Sequence, residues 1–263
     1  MPDFVPHHQR KNAPANWHTS TAGQYALGWQ AERYAQAAAG VFGYYALQLG
    51  CPALPTLAAS RITHRWLALQ HEDGDFAAPQ LRLDYLQLPL QEASVDLLTL
   101  PHTLETSCDP LATLQDAARA LVPQGRLLIS GFNPRGLWFS PAAALRRRQH
   151  SLPEPVQTIS LRLLHQYLSD CGLQLESVQH GCWQNLHAGA APYPPASRIE
   201  KWGARLLPAW GNCYFVQARK QVLGATLLQA HWQKRWPLLP GQTTALGTPP
   251  AQKSSQPSPP KSH

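Results

Sequence analysis

The stretch from Leu83 to Gly131 constrains the fold more than any other part of this chain. Ser94 leads into an unbroken apolar pattern from Val95 to Leu100, which is typical of a buried strand, and a polar loop from His102 to Asp109 follows it. Apolar residues then recur at spacings of three or four, at Leu111, Leu114, Ala118 and Leu121. This spacing predicts an amphipathic helix that packs beside the strand.

A second strand completes this unit. Pro123-Gln124-Gly125 is typical of a helix stop, and Arg126 to Ser130 returns to an apolar strand pattern. Strand, helix and strand in succession indicate a β-α-β unit, which places the two strands parallel in one sheet.

The same stretch resembles the class I S-adenosylmethionine (SAM)-dependent methyltransferases of the type 11 group. Their signature has an acid, a proline, Ser-Phe-Asp, His-x-Leu-Glu and Arg-x-Leu-x-Pro-Gly-Gly in that order. The counterparts here are Asp84, Pro89, Ser94-Val95-Asp96, His102-Thr103-Leu104-Glu105 and Arg119-Ala120-Leu121-Val122-Pro123-Gln124-Gly125. The resemblance implies a Rossmann-like α/β fold, with a mostly parallel seven-stranded sheet flanked by helices, and SAM as the cofactor.

The segment that corresponds to the family's glycine-rich SAM loop departs from it. In the family the first strand ends in Asp-x-Gly-x-Gly-x-Gly, so that the backbone can approach the cofactor closely. Here Gly50 alone keeps a family glycine, Gln48 stands at the acid's position, and Pro52 and Leu54 replace glycines. Because proline fixes φ and lacks an N–H, we expect a cofactor pocket that is altered or lost, with Gly50 as its remaining binding position.

The resemblance implies four further cofactor-binding positions. Asp84 would accept a hydrogen bond from the adenine amino group, the alternative being a turn or helix cap. Glu72 follows the second predicted strand and would accept from the ribose hydroxyls, the alternative being a solvated turn. Leu100 and His102, at the end of the fourth strand, complete the set. The catalytic residues stay unknown, because methyl transfer depends mainly on positioning the donor and the acceptor.

The five cysteines are odd in number and form no Cys-x-x-Cys pair. They indicate buried, reduced thiols, and we expect neither a disulfide framework nor a bound metal.

Three regions are predicted along the chain. Residues 1–20 are polar and are expected to be disordered, residues 21–223 form the methyltransferase-like domain, and residues 224–263 are a basic and then Pro-, Ser- and Gln-rich tail, largely disordered. Further elements of the domain are predicted as helices over Gln24–Val41, Pro141–His150 and Ser160–Cys171, and as strands over Arg61–Leu69, Leu173–Val178 and Asn212–Arg219.

One loop is a candidate for binding the methyl acceptor. Gly131 to Trp138 follows a strand of the predicted parallel sheet, and ligands of such sheets bind beyond the carboxyl ends of the strands. Asn133, Arg135 and Trp138 could contact a substrate there, and a plain turn is the alternative.

Charge and hydropathy restrict the kinds of partner and the location that are expected. From Arg126 to Trp236 thirteen Lys and Arg stand against four acids, which suits a weak anionic partner of the basic C-terminal half. The chain has no apolar run long enough for a transmembrane helix and no apolar core of a signal peptide, so a cytoplasmic location is expected.

Two functions follow from these observations. The first is a SAM-dependent methyltransferase whose acceptor, a small molecule, a lipid or RNA, the sequence does not identify. The second is a non-catalytic binding or scaffold protein with a methyltransferase-like fold, which the altered glycine loop favours.

Overall fold

The computed structural model describes residues 17–70, 81–139, 158–183, 202–203 and 205–221. All of them belong to one compact unit, Met1–Leu223, and a second unit, Gly224–His263, lies outside the described residues. The predictions for Glu72, for the helix over Pro141–His150 and for the C-terminal tail also fall outside them.

Seven strands form a single sheet. They are β1 (Tyr45–Leu49), β2 (His64–Leu69), β3 (Leu81–Arg82), β4 (Val95–Pro101), β5 (Leu121–Phe132), β6 (Leu173–Gly181) and β7 (Cys213–Lys220). Their order across the sheet is β3-β2-β1-β4-β5-β7-β6. Only β7 runs against its neighbours, as shown by its antiparallel pairing with both β5 and β6. The predicted fold, a mostly parallel seven-stranded sheet flanked by helices, is confirmed.

Four described helices accompany the sheet. They are α1 (Thr21–Ala39), α2 (Thr103–Thr106), α3 (Pro110–Ala120) and α4 (Leu161–Asp170). Side chains cap the three longer helices at their N-termini: Ser20 accepts from the N–H of Gly23, Asp109 from Ala112 and Ser160 from Leu163. Such caps satisfy backbone donors that a helix leaves unpaired.

The core has a layer on each face of the sheet. On β1, Leu47 and Leu49 point to the layer that α3 and α4 cover, whereas Ala46 points to the layer that α1 covers. This alternation follows from the two-residue period of a strand. Buried on both faces, β1 and β4 form the centre of the domain.

Some boundaries differ from the predictions. Residues 17–20, which were predicted to be disordered, form a 3-10 turn and the cap of α1, and the predicted loop after β4 contains the short helix α2. β5 begins at Leu121, because α3 ends at Ala120 and the chain turns at once into extended backbone. The strand is irregular where a helix stop was predicted: its partner in β4 shifts between Val95 and Leu97, and Gln124 has a φ of 66°.

The connection from β1 to β2 contains no helix. Residues 50–63 form turns and irregular backbone. Leu54, Leu57 and Ile62 of this connection are buried against α1, in the place where a helix would otherwise cover the sheet. None of the described helices is long and apolar enough to cross a membrane.

Candidate functional site

The candidate site lies where β1 and β4 end side by side. β1 and β4 are parallel neighbours, and the strand order reverses between them, so their carboxyl ends open a crevice of the kind where ligands bind in α/β sheets. Gly50 follows β1 directly. Leu100 is the second-last residue of β4, and His102 follows that strand. The structure therefore brings three of the five predicted site residues to one edge of the sheet.

Gly50 fits this corner for two reasons. Its φ of +77° lies in the left-handed region that glycine adopts without strain. A Cβ at this position would also lie 3.2 Å from both the Tyr85 hydroxyl and the Thr103 Oγ1. Those hydroxyls donate to backbone carbonyls, that of Tyr85 to Ala68 at 3.4 Å and that of Thr103 to Leu49. One side of Gly50 is therefore occupied by the protein's own side chains.

Gln48 closes the loop that follows β1. Its buried amide nitrogen lies within hydrogen-bonding distance of three carbonyl oxygens, those of Gly50 at 3.0 Å, Cys51 at 3.1 Å and Leu54 at 2.8 Å. Its Oε1 accepts from the Thr56 N–H at 3.0 Å and from the Thr56 hydroxyl at 2.8 Å. A carboxylate could not donate to the carbonyls, so an amide is required here. The position that carries an acid in the family is thus an internal support of the loop.

A small cavity borders this loop. It has a volume of about 290 Å³ and lies between α1 and residues 53–55, with Leu27, Gly28 and Ala31 of α1 in its wall. Ligand pockets span roughly 300 to 1,000 Å³, so the cavity is at the lower end of that range. Leu54, which replaces a family glycine, is 1% exposed and also lines it.

His102 belongs to a buried chain of hydrogen bonds. Its Nδ1 lies 2.7 Å from Glu105 Oε2, and its Nε2 lies 2.9 Å from the Gln30 amide nitrogen and 3.0 Å from Gln30 Oε1. The Ser130 hydroxyl donates to Gln30 Oε1 at 3.3 Å, and the Tyr34 hydroxyl donates to Ser130 at 3.2 Å. When Nδ1 of His102 donates to Glu105 and Nε2 accepts from Gln30, each hydroxyl and amide from Tyr34 to Glu105 donates to the next group. The chain connects α1 to the ends of β4 and β5.

Aromatic rings cover this hydrogen-bonded chain. The centroids of Trp17 and Phe132 lie 4.9 Å and 4.4 Å from that of the His102 ring. The second Glu105 oxygen accepts from the Phe132 N–H. Burial raises the pKa of the Tyr214 hydroxyl well above its ordinary value, and the nearby Glu105 charge adds to this. Among the described residues, that hydroxyl is one of the buried polar groups without a hydrogen-bond partner.

Asp84 lies in an exposed turn between β3 and β4. Its Oδ1 accepts from the Leu86 N–H at 2.9 Å, which is the turn-cap geometry considered in the sequence. The next residue, Tyr85, contacts Gly50, so this turn is adjacent to the end of β1. Arg119 of α3 holds the following segment by donating to the carbonyl oxygens of Leu88 at 2.9 Å and Leu90 at 2.8 Å. Arg119 thus holds the segment on either side of Pro89 against α3.

Two of the three candidate residues in the loop after β5 have structural roles. Asn133 is buried and donates to the carbonyl oxygens of Ala209 at 2.9 Å and Gly211 at 2.8 Å. Trp138 is fully buried, and its backbone N–H donates to Asn212 at 2.8 Å. Arg135 is exposed.

Sequence reasoning did not identify the partners of His102. Gln30, which bonds to His102 directly, lies 72 residues from it in the chain, and Ser130 joins the chain of bonds only through Gln30. Gln30 also lies within a regular helix, where no local sequence signal distinguishes it. The local signal was confined to His102 and Glu105, which share the His-x-Leu-Glu motif.

Comparison with known proteins agrees with the fold. Residues 39–129 match the family model described as a methyltransferase domain, a range that begins at the end of α1 and contains β1 to β4 and most of β5. Over 55 residues the chain is 47% identical to the uncharacterized protein YafS of Escherichia coli (strain K12). That match covers 21% of this chain and 23% of the relative, less than a quarter of its length.

Solved structures share the fold at low identity. One is a chain from a complex between the Haloferax volcanii Trm112 methyltransferase activator and a methyltransferase, with a TM-score of 0.54, 16% identity, and coverage of 80% of this chain and 99% of that chain. A SAM-dependent methyltransferase from Thermotoga maritima has a TM-score of 0.52 and 12% identity, covering 78% and 93% of the two chains. One from Archaeoglobus fulgidus has a TM-score of 0.52 and 14% identity, covering 75% and 94%.

Proposed function

We propose that this chain, in which residues 39–129 match the methyltransferase-domain family model, transfers a methyl group from SAM to an acceptor bound at the carboxyl edge of the sheet. The observation that carries the proposal is the crevice between β1 and β4, where Gly50 and His102 lie at adjacent strand ends within the segment that matches the family. The acceptor is a small molecule, a lipid or RNA.

The residues present fit the adenosine end of SAM. Asp84 is exposed, and among the described residues the Leu86 N–H engages its Oδ1, so its Oδ2 suits the adenine amino group. Tyr85 joins the turn of Asp84 to Gly50, so the two proposed contacts are adjacent. Leu100 would contribute backbone at the end of β4, and Glu72 keeps its proposed role toward the ribose.

The methionine end differs from the family's usual arrangement. Gln48 and the carbonyls of residues 50–54 bond to one another, and Pro52 has no N–H to donate. We therefore expect a dissociation constant on the order of tens of micromolar, about −6 kcal/mol.

SAM, when bound, supplies the methyl group that the acceptor's lone pair attacks. The chain's own contribution is to hold donor and acceptor in line, which is the main requirement of such a transfer. His102 acts as a positioning residue, because through Gln30 it fixes α1 beside the crevice and through Glu105 it fixes the start of α2.

A non-catalytic function is the second candidate, and one observation favours it. The loop after β1 satisfies its polar groups internally through Gln48, as a loop with no ligand to bind would do. The protein would then serve as a binding or scaffold module.

Calorimetric titration of the full chain with SAM and with S-adenosylhomocysteine tests the proposal. Saturable binding is expected, and Asp84→Asn should weaken it by about 1–3 kcal/mol, because the amide keeps the turn bond but presents its N–H groups to the adenine amino group. The control is Glu92→Gln, another exposed acid, which should bind as the unmodified protein does. An absence of heat at millimolar ligand would reject the enzyme and leave the scaffold.

A further inference from the structure

Four large apolar side chains are exposed on one short segment before β7. They are Trp202, Leu206, Leu207 and Trp210, with 61%, 64%, 51% and 50% of their surfaces exposed. We call them the apolar patch. Single apolar residues are common on protein surfaces, whereas four large ones exposed within nine residues of the chain indicate an interaction site.

The backbone beneath the apolar patch is held in place. Buried Asn133 donates to the carbonyls of Ala209 and Gly211, and the indole N–H of Trp183 donates to the Leu207 carbonyl at 3.0 Å. Within the segment, the Leu207 N–H donates to Gly203 and the Trp210 N–H to Leu207, each at 3.0 Å. The patch is therefore presented outward by an anchored support.

The surroundings of the patch are cationic. Arg205 lies within the segment, and exposed Arg135 lies in the loop that Asn133 joins to it. Residues 132–139, 181–183, 202–203 and 205–212, the described parts of this region, contain no Asp or Glu. The charge of this surface complements an anionic partner.

We propose that the apolar patch docks the protein on an anionic lipid bilayer surface. Tryptophan rings favour the boundary between headgroups and acyl chains, leucines bury apolar surface in the acyl region, and arginines pair with lipid phosphates. A single-stranded nucleic acid shares the phosphate chemistry. However, it would be bound through stacked rings, and leucine side chains offer no stacking surface.

The patch lies at the edge of the sheet that also carries the candidate site. It lies between the end of β6 and the start of β7, which pair with the end of β5 at the carboxyl edge of the parallel strands. Asn133, just after β5, also bonds to this segment. If the protein transfers methyl groups as proposed, the acceptor is a lipid-borne molecule that reaches the crevice from the bilayer. Only this statement about the acceptor rests on the proposed function.

Vesicle flotation with the full chain tests the docking. We expect binding to vesicles of phosphatidylcholine with phosphatidylglycerol, weaker binding to phosphatidylcholine alone, and loss of at least about tenfold in affinity for Leu206→Asp and for Trp210→Ser. Arg205→Gln should reduce only the part of binding that depends on phosphatidylglycerol. Because all three side chains are exposed, unchanged thermal melting will show that the variants are folded.

The matched control is Phe42→Ser. Phe42 is 73% exposed and precedes β1, at the opposite edge of the sheet, so its loss should leave vesicle binding unchanged. The proposal is overturned if the unmodified protein does not float, if the patch variants float equally well, or if they abolish self-association or RNA binding instead. The assay contains no SAM, so a negative result here does not bear on methyl transfer.

Discussion

Gln48 shows how one buried amide can determine the shape of a loop. Five polar groups of residues 50–56 lie within hydrogen-bonding distance of its two terminal atoms. A carboxylate at the same position would face three carbonyl oxygens with no proton to share. The family's motif has an acid at this position, and this loop does not accommodate an acid there.

We expect Gln48→Glu to lower the free energy of unfolding by about 3 kcal/mol, because the buried carbonyls lose their donor and face a negative charge. Urea denaturation measures this. Gln36→Glu is the control, since Gln36 is exposed on α1 and should change stability by less than about 0.5 kcal/mol. Equal stability of the two variants would contradict the hydrogen bonds assigned to Gln48.

At the same scale, the sequence predicted the position of the site better than its contacts. Gly50, Leu100 and His102 could be assigned to one edge because parallel strands end together. The bonds of His102 to Gln30 and of Gly50's neighbours Tyr85 and Thr103 join residues far apart in the chain, and no local pattern encodes them. The role of Asp84 toward SAM stays a prediction.

At the scale of elements, the connection from β1 to β2 replaces a helix by buried side chains. Leu54, Leu57 and Ile62 fill the layer between this connection and α1. A segment without regular secondary structure thus contributes to the core as a helix would. Its tolerance to substitution should be that of the core and not that of a surface loop.

Leu54→Ala is accordingly expected to cost about 2–5 kcal/mol of stability, the range for a leucine removed from a packed interior. Thermal or urea unfolding of the variant gives the value. Leu163→Ala supplies the comparison, because Leu163 is 38% exposed on α4 and should cost less than about 1 kcal/mol. A loss for Leu54→Ala no larger than that of Leu163→Ala would show that the connection is not part of the core.

The periodicity of apolar residues predicted which segments are helices and which are strands. It did not predict every residue at which they begin or end. α1, α3, α4 and β4 lie where the apolar spacing indicated. The start of β5 was missed because proline and glycine near residue 124 normally stop regular structure, whereas here β4 pairs with both sides of the irregularity. Tertiary pairing, which the local pattern does not contain, decided this boundary.

At the scale of the whole molecule, the last strand in the chain lies inside the sheet. β7 pairs with β5 on one side and β6 on the other, and residues 213–216 of this strand are buried. The domain therefore cannot be completed until the chain has been synthesised through Lys220.

A chain that ends at Gly211 should fail to fold, because β5 would lose one of its two neighbouring strands and β6 would lose its pairing to the sheet. A chain that ends at Leu223, the limit of the compact unit, should keep the far-ultraviolet circular dichroism and the melting temperature of the full protein. The two truncations differ by twelve residues. If the shorter chain folded, β7 would be an accessory strand.

The contact between Trp183 and Gly203 determines how much change the chain tolerates between these two residues. A Cβ on Gly203 would lie 2.4 Å from the Trp183 ring, so the chain returns at residue 203 to the place that it left at residue 183. An excursion whose two ends meet can change in length or sequence with little cost to the scaffold, since closing a longer loop costs only about 0.6 kcal/mol per doubling. Lengthening or exchanging the residues between Trp183 and Gly203 should therefore leave the described sheet folded.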